Sequence, residues 1–277
     1  MKVLIIGANG FLGTHLVRKC LSLNWKVECI YNENEDNIPA SCKTYHISEL
    51  QNLGHAYQAI FLLAARIPYG KLSGFNHELI DNNVLLPLQI SRQFPLTTII
   101  YSSSVSVYGA TKGVISENST FTRPNAYGLS KLSGEYILQT HPRFRIIRFS
   151  SLYGKGMQQN TFLPKIIKTA KYNNKITLFG NGNRKQDYLH VDEAVDYCLE
   201  AAMYKENSIF LGVYGKSYSN LAIAKIIKRN IPECSLTFEG EDKSQSYMYN
   251  NEWTKKTLQF EPVYPLEEGI KKIINEK

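Results

Sequence analysis

The chain lacks any apolar run of about 18 residues, so no membrane-spanning helix is expected. It opens on a strand pattern without a charged leader or apolar signal region, and the expected location is the cytoplasm. No C-x-x-C pair occurs. The five cysteines, Cys20, Cys29, Cys42, Cys198 and Cys234, are odd in number and widely spaced, which argues against a disulfide framework or a zinc site. They read as reduced, mostly buried thiols, and no metal is expected. Runs of basic residues are also missing. With 32 Lys and Arg against 24 Asp and Glu, the net charge is +8, but it is scattered along the chain. That pattern fits a solvated basic surface rather than a nucleic-acid stripe, and it favours anionic small molecules. Internal repeats, low-complexity tracts and disordered linkers are absent as well.

What is present is an ordinary globular composition. A chain of 277 residues, 43% of them apolar, can bury a substantial core as one large domain, or one domain with a small appendage. Lys2–Ile6 is a short apolar run feeding G-A-N-G-F-L-G, after which Leu12, Leu16, Val17, Cys20 and Leu21 recur at helical spacing. This is strand, tight turn, helix. Gly7, Gly10 and Gly13 occupy places where a dinucleotide-binding turn tolerates no side chain: the turn, the close approach to a pyrophosphate and the helix–strand contact. The N–H groups that open the helix, at Phe11 and Leu12, would face the phosphates.

The next strand, Lys26–Tyr31, ends in Tyr31 and Asn32 where dinucleotide folds that prefer NAD place a carboxylate. Glu33 and Glu35 follow late, and no Arg stands nearby for a 2′-phosphate, so NAD and NADP both remain open. Thr44–Ile47 and Ala59–Leu63 read as further strands, the latter running into Leu63, Ala64, Ala65 and Arg66. Small residues there let backbone lie close to a ligand, although tight packing explains them equally. Phe75–Gln93 reads as one long helix carrying Asn83, either a surface residue or a structural hydrogen-bonder beneath the site. Thr98–Ser102 is a strand ending in S-S-S-V-S-V-Y-G, a hydroxyl run outside a strand's carboxyl end, and Phe144–Phe149 is another.

The alternation through residue 150 predicts an α/β fold, a doubly wound parallel sheet, Rossmann-like, over 1–152. Residues 153–277 predict a small α/β substrate lobe, partly packed back on the main sheet. Its pieces are a helix near Phe162–Tyr172, Ile176–Phe179, a turn at Gly180–Gly182, Tyr188–Val191, a helix from Asp192 to Met203, Ser208–Leu211, Leu221–Arg229, Ser235–Glu239 and an amphipathic Leu266–Ile274. Residues 240–252 are the expected mobile loop.

Tyr127 and Lys131 stand one turn apart on a predicted helix that runs to about Gln139. A cation near a phenol favours its anionic form, which makes Tyr127 a candidate proton donor and acceptor. Chance alone produces Y-x-x-x-K in many helices. The glycine turn, the serines and this pair, in chain order and in the right contexts, together carry more weight.

The sequence resembles the extended short-chain dehydrogenase/reductases, in particular the NAD-dependent epimerase/dehydratase family acting on nucleotide-linked sugars. The resemblance rests on G-A-N-G-F-L-G, L-A-A, D-N-N-V, S-S-S-V-S-V-Y-G, Y-G-L-S-K, R-F-S-S-L-Y-G, G-N-G-N-R-K-Q-D-Y-L-H-V-D-E and the closing P-L-E-E-G. It implies that Ser104 binds the reacting sugar oxygen, that Tyr127 shuttles the proton, and that Lys131 binds the nicotinamide ribose. It also implies that Asn83 lies on the cofactor side, that Ser151, Phe179, Arg184 and Gln186 bind substrate, and that the protein forms a homodimer.

Departures narrow the reading. The 4,6-dehydratases carry an Asp-Glu pair where this chain has Val105 and Ser106, which disfavours dehydration. The Arg usual before Asp-Tyr is Gln186, with Arg184 and Lys185 just upstream. An Arg expected in the 240s is absent, leaving Lys243, and the usual Asn after the strand Phe144–Phe149 is Ser151. The expectation is a reductase of a nucleotide-linked 4-keto-6-deoxyhexose. A nucleotide-sugar 4-epimerase is the alternative, and a non-catalytic cofactor sensor a lesser one.

Overall fold

A computed structural model of the protein describes residues 1–54, 56–68 and 74–275. Among these residues seven strands form the main sheet: β1 (Lys2–Ile6), β2 (Lys26–Tyr31), β3 (Lys43–His46), β4 (Ala59–Leu62), β5 (Thr98–Ser104), β6 (Phe144–Phe149) and β7 (Ser208–Gly212). They lie in the order β3-β2-β1-β4-β5-β6-β7, every neighbouring pair parallel. A parallel strand is covered on both faces, so β1 is an unbroken apolar run. Val3 and Ile5 enter one core with Leu16, Val17 and Val195, while Leu4 and Ile6 enter the other with Ile90, Tyr101 and Leu138. The chain direction of travel across the sheet reverses between β1 and β4. That switch point opens the crevice in which ligands of such sheets bind.

The helix expected over 75–93 is interrupted. His77–Ile80 passes through a π-helical turn, Asp81–Leu85, into Leu86–Gln93. Pro87 supplies the reason: it has no N–H to give the carbonyl of Asn83, four residues back. The Leu86 N–H bonds Asp81 instead, and the Asn83 carbonyl accepts from the Tyr101 hydroxyl at 3.4 Å.

The C-terminal pieces form small sheets around a separate core of Ile176, Leu178, Ile223, Ile227 and Ile270. Lys185–His190 lies between Ser151–Tyr153 and Ser217–Ser219, and Lys175–Phe179 pairs with Ser235–Glu239. The segment expected to be a mobile loop is tied down. Gln245 Nε2 donates to the Thr111 carbonyl at 2.7 Å, Tyr247 donates to both Lys185 and Gly109 carbonyls, and Met248–Tyr249 pairs with Val114–Ile115. These partners lie more than sixty residues away in sequence, which is why no local pattern announced them. All five cysteines are free and buried. Among the described residues no helix is long and apolar enough to cross a membrane, and no cluster could hold a metal ion.

Candidate active site

The ends of three strands meet at the glycine turn. Gly7 and Ala8 donate to the Ile30 carbonyl, and Leu63 and Ala64 donate to that of Ile6. Gly7 has φ +86°, and a Cβ there would lie 2.7 Å from the Ala64 nitrogen. A Cβ on Gly13 would come within 2.1 Å of the Gly7 carbonyl oxygen, so helix and turn touch at backbone distance. Gly10 is exposed and begins the Phe11–Ser22 helix without a side-chain cap. Its cradle is therefore shaped for a ligand that accepts hydrogen bonds from the first-turn N–H groups. Leu12 is buried, so only its backbone is on offer; Phe11 is half-buried. At the end of β2, Tyr31 meets His46 edge-on, and His46 Nε2 holds the Asn32 carbonyl at 2.8 Å. Glu35 turns back to bond Thr44. Ala65 is half-buried.

Asn83 is fully buried and its amide is spent. It donates to the Arg66 carbonyl and to Ser130 Oγ, and accepts from the Arg66 N–H. Rather than facing a ligand, its side chain bolts the loop after β4 to the helix carrying Tyr127. Of the two structural readings open from sequence, the hydrogen-bonding one describes it.

That helix, Ala126–Gln139, starts with Asn125 Oδ1 capping the Gly128 N–H at 2.8 Å. A Cβ on Gly128 would stand 2.2 Å from the Ser106 carbonyl oxygen, and one on Gly134 would stand 2.5 Å from the Tyr101 hydroxyl. Small residues thus bring the helix against β5 and its following turn, seating Tyr127 beside the Ser104–Ser106 turn. Ser104 Oγ accepts the Ser106 N–H at 3.2 Å and bonds Ser106 Oγ at 3.1 Å. Beneath, Glu135 is gripped by both Nε and Nη2 of Arg148 and takes the Ser103 hydroxyl, while Arg148 also donates to Tyr108. The pair is wholly buried and fully bonded, which fixes the helix about its axis.

Lys131 is 1% exposed, and among the described residues its ammonium has no hydrogen-bond partner. It lies 4.0 Å above the centre of the Tyr101 ring. Burial pushes its pKa down to about 7, with the Glu135 charge pulling the other way. A buried, unpaired ammonium one turn from Tyr127 is a donor set awaiting hydroxyls. The cradle, the open helix end and this ammonium fit a dinucleotide.

The residues expected to bind substrate lie on the small sheets. Ser151 is exposed and registers with Tyr188, whose hydroxyl takes a bond from Gln186 Nε2 at 3.2 Å. Arg184 is half-buried, and its Nε is buried without a partner among the described residues. Phe179 is 60% exposed on the neighbouring pair of strands, joined to Arg184 by the Gly180–Asn183 turn. Asp187, buried, accepts from Ser150, Tyr214 and Gly215, and burial pushes its pKa up to about 6. It anchors this strand to the loop beyond β7.

Sequence reasoning missed Tyr101, Ser103, Gly128, Ser130, Glu135 and Arg148 as parts of the site. The one available signal was the small-residue spacing of Gly128, Ser130 and Gly134 along a single helix.

The chain is similar to several known proteins. An uncharacterized UDP-glucose epimerase of Bacillus subtilis is 24% identical, with 98% of this chain and 96% of that protein aligned. A putative UDP-glucose 4-epimerase of Methanocaldococcus jannaschii is 26% identical over 99% of this chain and 97% of its own length. Among solved structures, the UDP-glucose 4-epimerase of Thermotoga maritima with UDP-glucose superposes with a TM-score of 0.87 at 21% identity, covering 99% of this chain and 97% of that one. The UDP-glucuronic acid 4-epimerase of Bacillus cereus, in complex with UDP-glucuronic acid and NAD, gives 0.85 at 21% identity, covering 98% and 96%. The model of the NAD dependent epimerase/dehydratase family matches residues 3–210, and the chain belongs to that family.

Proposed function

We propose that the protein is a nucleotide-sugar 4-epimerase. The observation that supports hydride chemistry is the buried ammonium of Lys131, without a hydrogen-bond partner among the described residues, one helical turn from Tyr127; the choice of epimerase rests on the names of the relatives. Relatives aligned over nearly the whole chain carry epimerase names, whereas a dTDP-4-dehydro-6-deoxy-D-allose reductase of a Streptomyces species aligns with 75% of it at 24% identity. The reductase expectation therefore yields to the alternative. Val105 and Ser106, in place of an acid pair, set dehydration aside.

In this reading the first-turn N–H groups at Phe11, Leu12 and Gly13 hold a pyrophosphate, while the backbone of Leu63, Ala64 and Ala65 lies along the dinucleotide. Tyr31 and Asn32 flank its adenosine ribose. A bound nicotinamide supplies acceptance and return of hydride at the sugar C4. Lys131 gives its N–H groups to the ribose hydroxyls and favours the phenolate of Tyr127, which takes and returns the proton of the C4 oxygen. Ser104 orients that oxygen. Arg184 stands in for the missing Arg at Gln186 as the diphosphate cation, with Ser151 and Phe179 along the nucleotide.

Two exposed helix faces support a homodimer: Leu85 is 48% exposed, Leu129 42% and Tyr136 58%, on neighbouring helices. Light scattering should then return twice 31.6 kDa.

The test is incubation with UDP-glucose, UDP-glucuronic acid and 4-keto sugar nucleotides, following the sugar by NMR and the reduced nicotinamide by absorbance. Inversion at C4 without net consumption of reduced cofactor supports the epimerase. Stoichiometric oxidation of NADH or NADPH with a 4-keto substrate makes it a reductase instead.

A further inference from the structure

His15 follows Phe11 by one turn in the helix that opens at the glycine cradle, and the proton transfer described above does not use it. Its Nδ1 lies 2.9 Å from Asp192 Oδ1 and its Nε2 lies 3.0 Å from the Lys155 carbonyl oxygen. Both partners are acceptors. A neutral imidazole owns one N–H, so the two contacts are satisfied together only when both nitrogens are protonated. His190, nearby, is the opposite case: its Nδ1 accepts the Asp192 N–H at 3.3 Å, which requires an unprotonated nitrogen there.

The three partners belong to three separate elements. Asp192 lies in the first turn of the Val191–Met203 helix, and Lys155 lies in the loop after Ser151–Tyr153. In that loop Gly154 and Gly156 both have positive φ, +143° and +84°. A Cβ on Gly154 would stand 2.7 Å from Val191 Cγ1, and one on Gly156 would stand 4.0 Å from the Phe11 ring. The loop is thus pressed between the cradle helix and the Asp192 helix, and His15 joins all three.

We propose that His15 is an imidazolium in the folded protein and acts as a positioning residue, clamping the Lys155 loop and Asp192 to the cradle helix so that dinucleotide retention weakens as the ring discharges. The proposal rests on the dinucleotide part of the reading above and not on the identity of the sugar. The surrounding charges decide its direction. Asp192 is the closest, Arg18 on the same helix opposes it, and Lys155 contributes its carbonyl. His190 faces from the Lys185–His190 strand, and Lys272, on the C-terminal helix, acts on Asp192 and His190. Lys19 and Asp196 pair at 3.6 Å further along the same two helices. The Asp192 bond outweighs burial and Arg18, and the His15 pKa is raised, while burial lowers that of His190. Below its unfolded-state pKa the clamp is fully present, and it is lost as pH rises through the folded-state value.

The test titrates NAD and NADH binding to the full chain from about pH 5.5 to about pH 8.5, across the imidazole range. Wild-type affinity should fall about fivefold, the worth of a half-exposed ion pair. His15→Gln should bind about fivefold more weakly than wild type at low pH and match it at high pH, any slope contributed by Lys131 being common to both proteins, and Asp192→Asn should move the wild-type midpoint lower. Long-range proton–nitrogen spectra of the wild type should show both His15 nitrogens protonated at about pH 6; this readout holds even if the glutamine variant fails to fold. A flat wild-type profile, a slope in His15→Gln equal to that of the wild type, or a neutral ring with intact binding overturns the clamp alone. Absence of dinucleotide binding at every pH overturns both the clamp's role and the proposed function.

Discussion

The Nζ of Lys131 sits 4.0 Å from the centre of the Tyr101 ring, and that ring face, with the more distant Glu135 charge, compensates a buried ammonium that has no hydrogen bond among the described residues. The cation is thus held ready but underpaid in hydrogen bonds. Its charge becomes more favourable when hydroxyls and a phenolate arrive.

Lys131→Met should change how stability depends on pH. The folded-state pKa of Lys131 is lowered from 10.5 to about 7. Its contribution is present above the unfolded value and lost as pH falls through that window, because the unfolded chain then binds the extra proton. Thermal melts of the ligand-free protein should show wild type losing stability relative to the variant as pH drops from 10 toward about 7. Parallel melting curves contradict the shift.

Tyr127→Phe should fold and bind dinucleotide normally yet lose about two to three orders of magnitude in turnover, the usual worth of a general acid–base. Steady-state kinetics beside a dinucleotide titration separate the two. Near-normal turnover removes Tyr127 from the chemistry.

Gly128→Ala places a Cβ 2.2 Å from the Ser106 carbonyl oxygen, so the helix start must move away from Ser104. Displacement of about 1 Å at a reacting group costs about a hundredfold in rate. The expected result is a large fall in kcat with a modest fall in Tm. Unchanged kcat would mean the helix and turn accommodate the methyl.

Glu135→Gln leaves the Arg148 guanidinium buried without its counterion. Breaking one partner of a buried pair costs about 3–5 kcal/mol, and Arg148→Met should cost a similar amount through the stranded carboxylate. Denaturant titration reads both. If the double variant is more stable than either single one, the cost lies in the unpaired charge rather than in lost attraction.

Features enforced over a few residues were legible in the sequence. The glycine turn needed positive φ at Gly7 and backbone contact at Gly13, and only glycine meets both. The Tyr127–Lys131 spacing followed from helix geometry, and the unbroken apolar strands from burial on two faces. Long-range pairings were not legible. Glu135 and Arg148 are 13 residues apart on a helix and a strand, and the strap at Tyr247 reaches Gly109 across 138 residues. Asn83 showed its residue type but not its orientation, since an amide can face a ligand or its own backbone with equal chemistry. Nor does helical periodicity disclose that a proline one turn later leaves a carbonyl to be answered from another element.

That last exchange couples positions that sequence would treat as independent. The carbonyl released by Pro87 is the one the Tyr101 hydroxyl reaches, and the Tyr101 ring is the surface on which the Lys131 charge rests. Pro87→Ala would restore a backbone donor opposite Asn83 and compete with the tyrosine for it. Substitutions at 87 and 101 should therefore be non-additive, and the tolerance of one position should depend on the residue at the other. A proline on an outer helix is in this sense part of the thermodynamic environment of the ammonium.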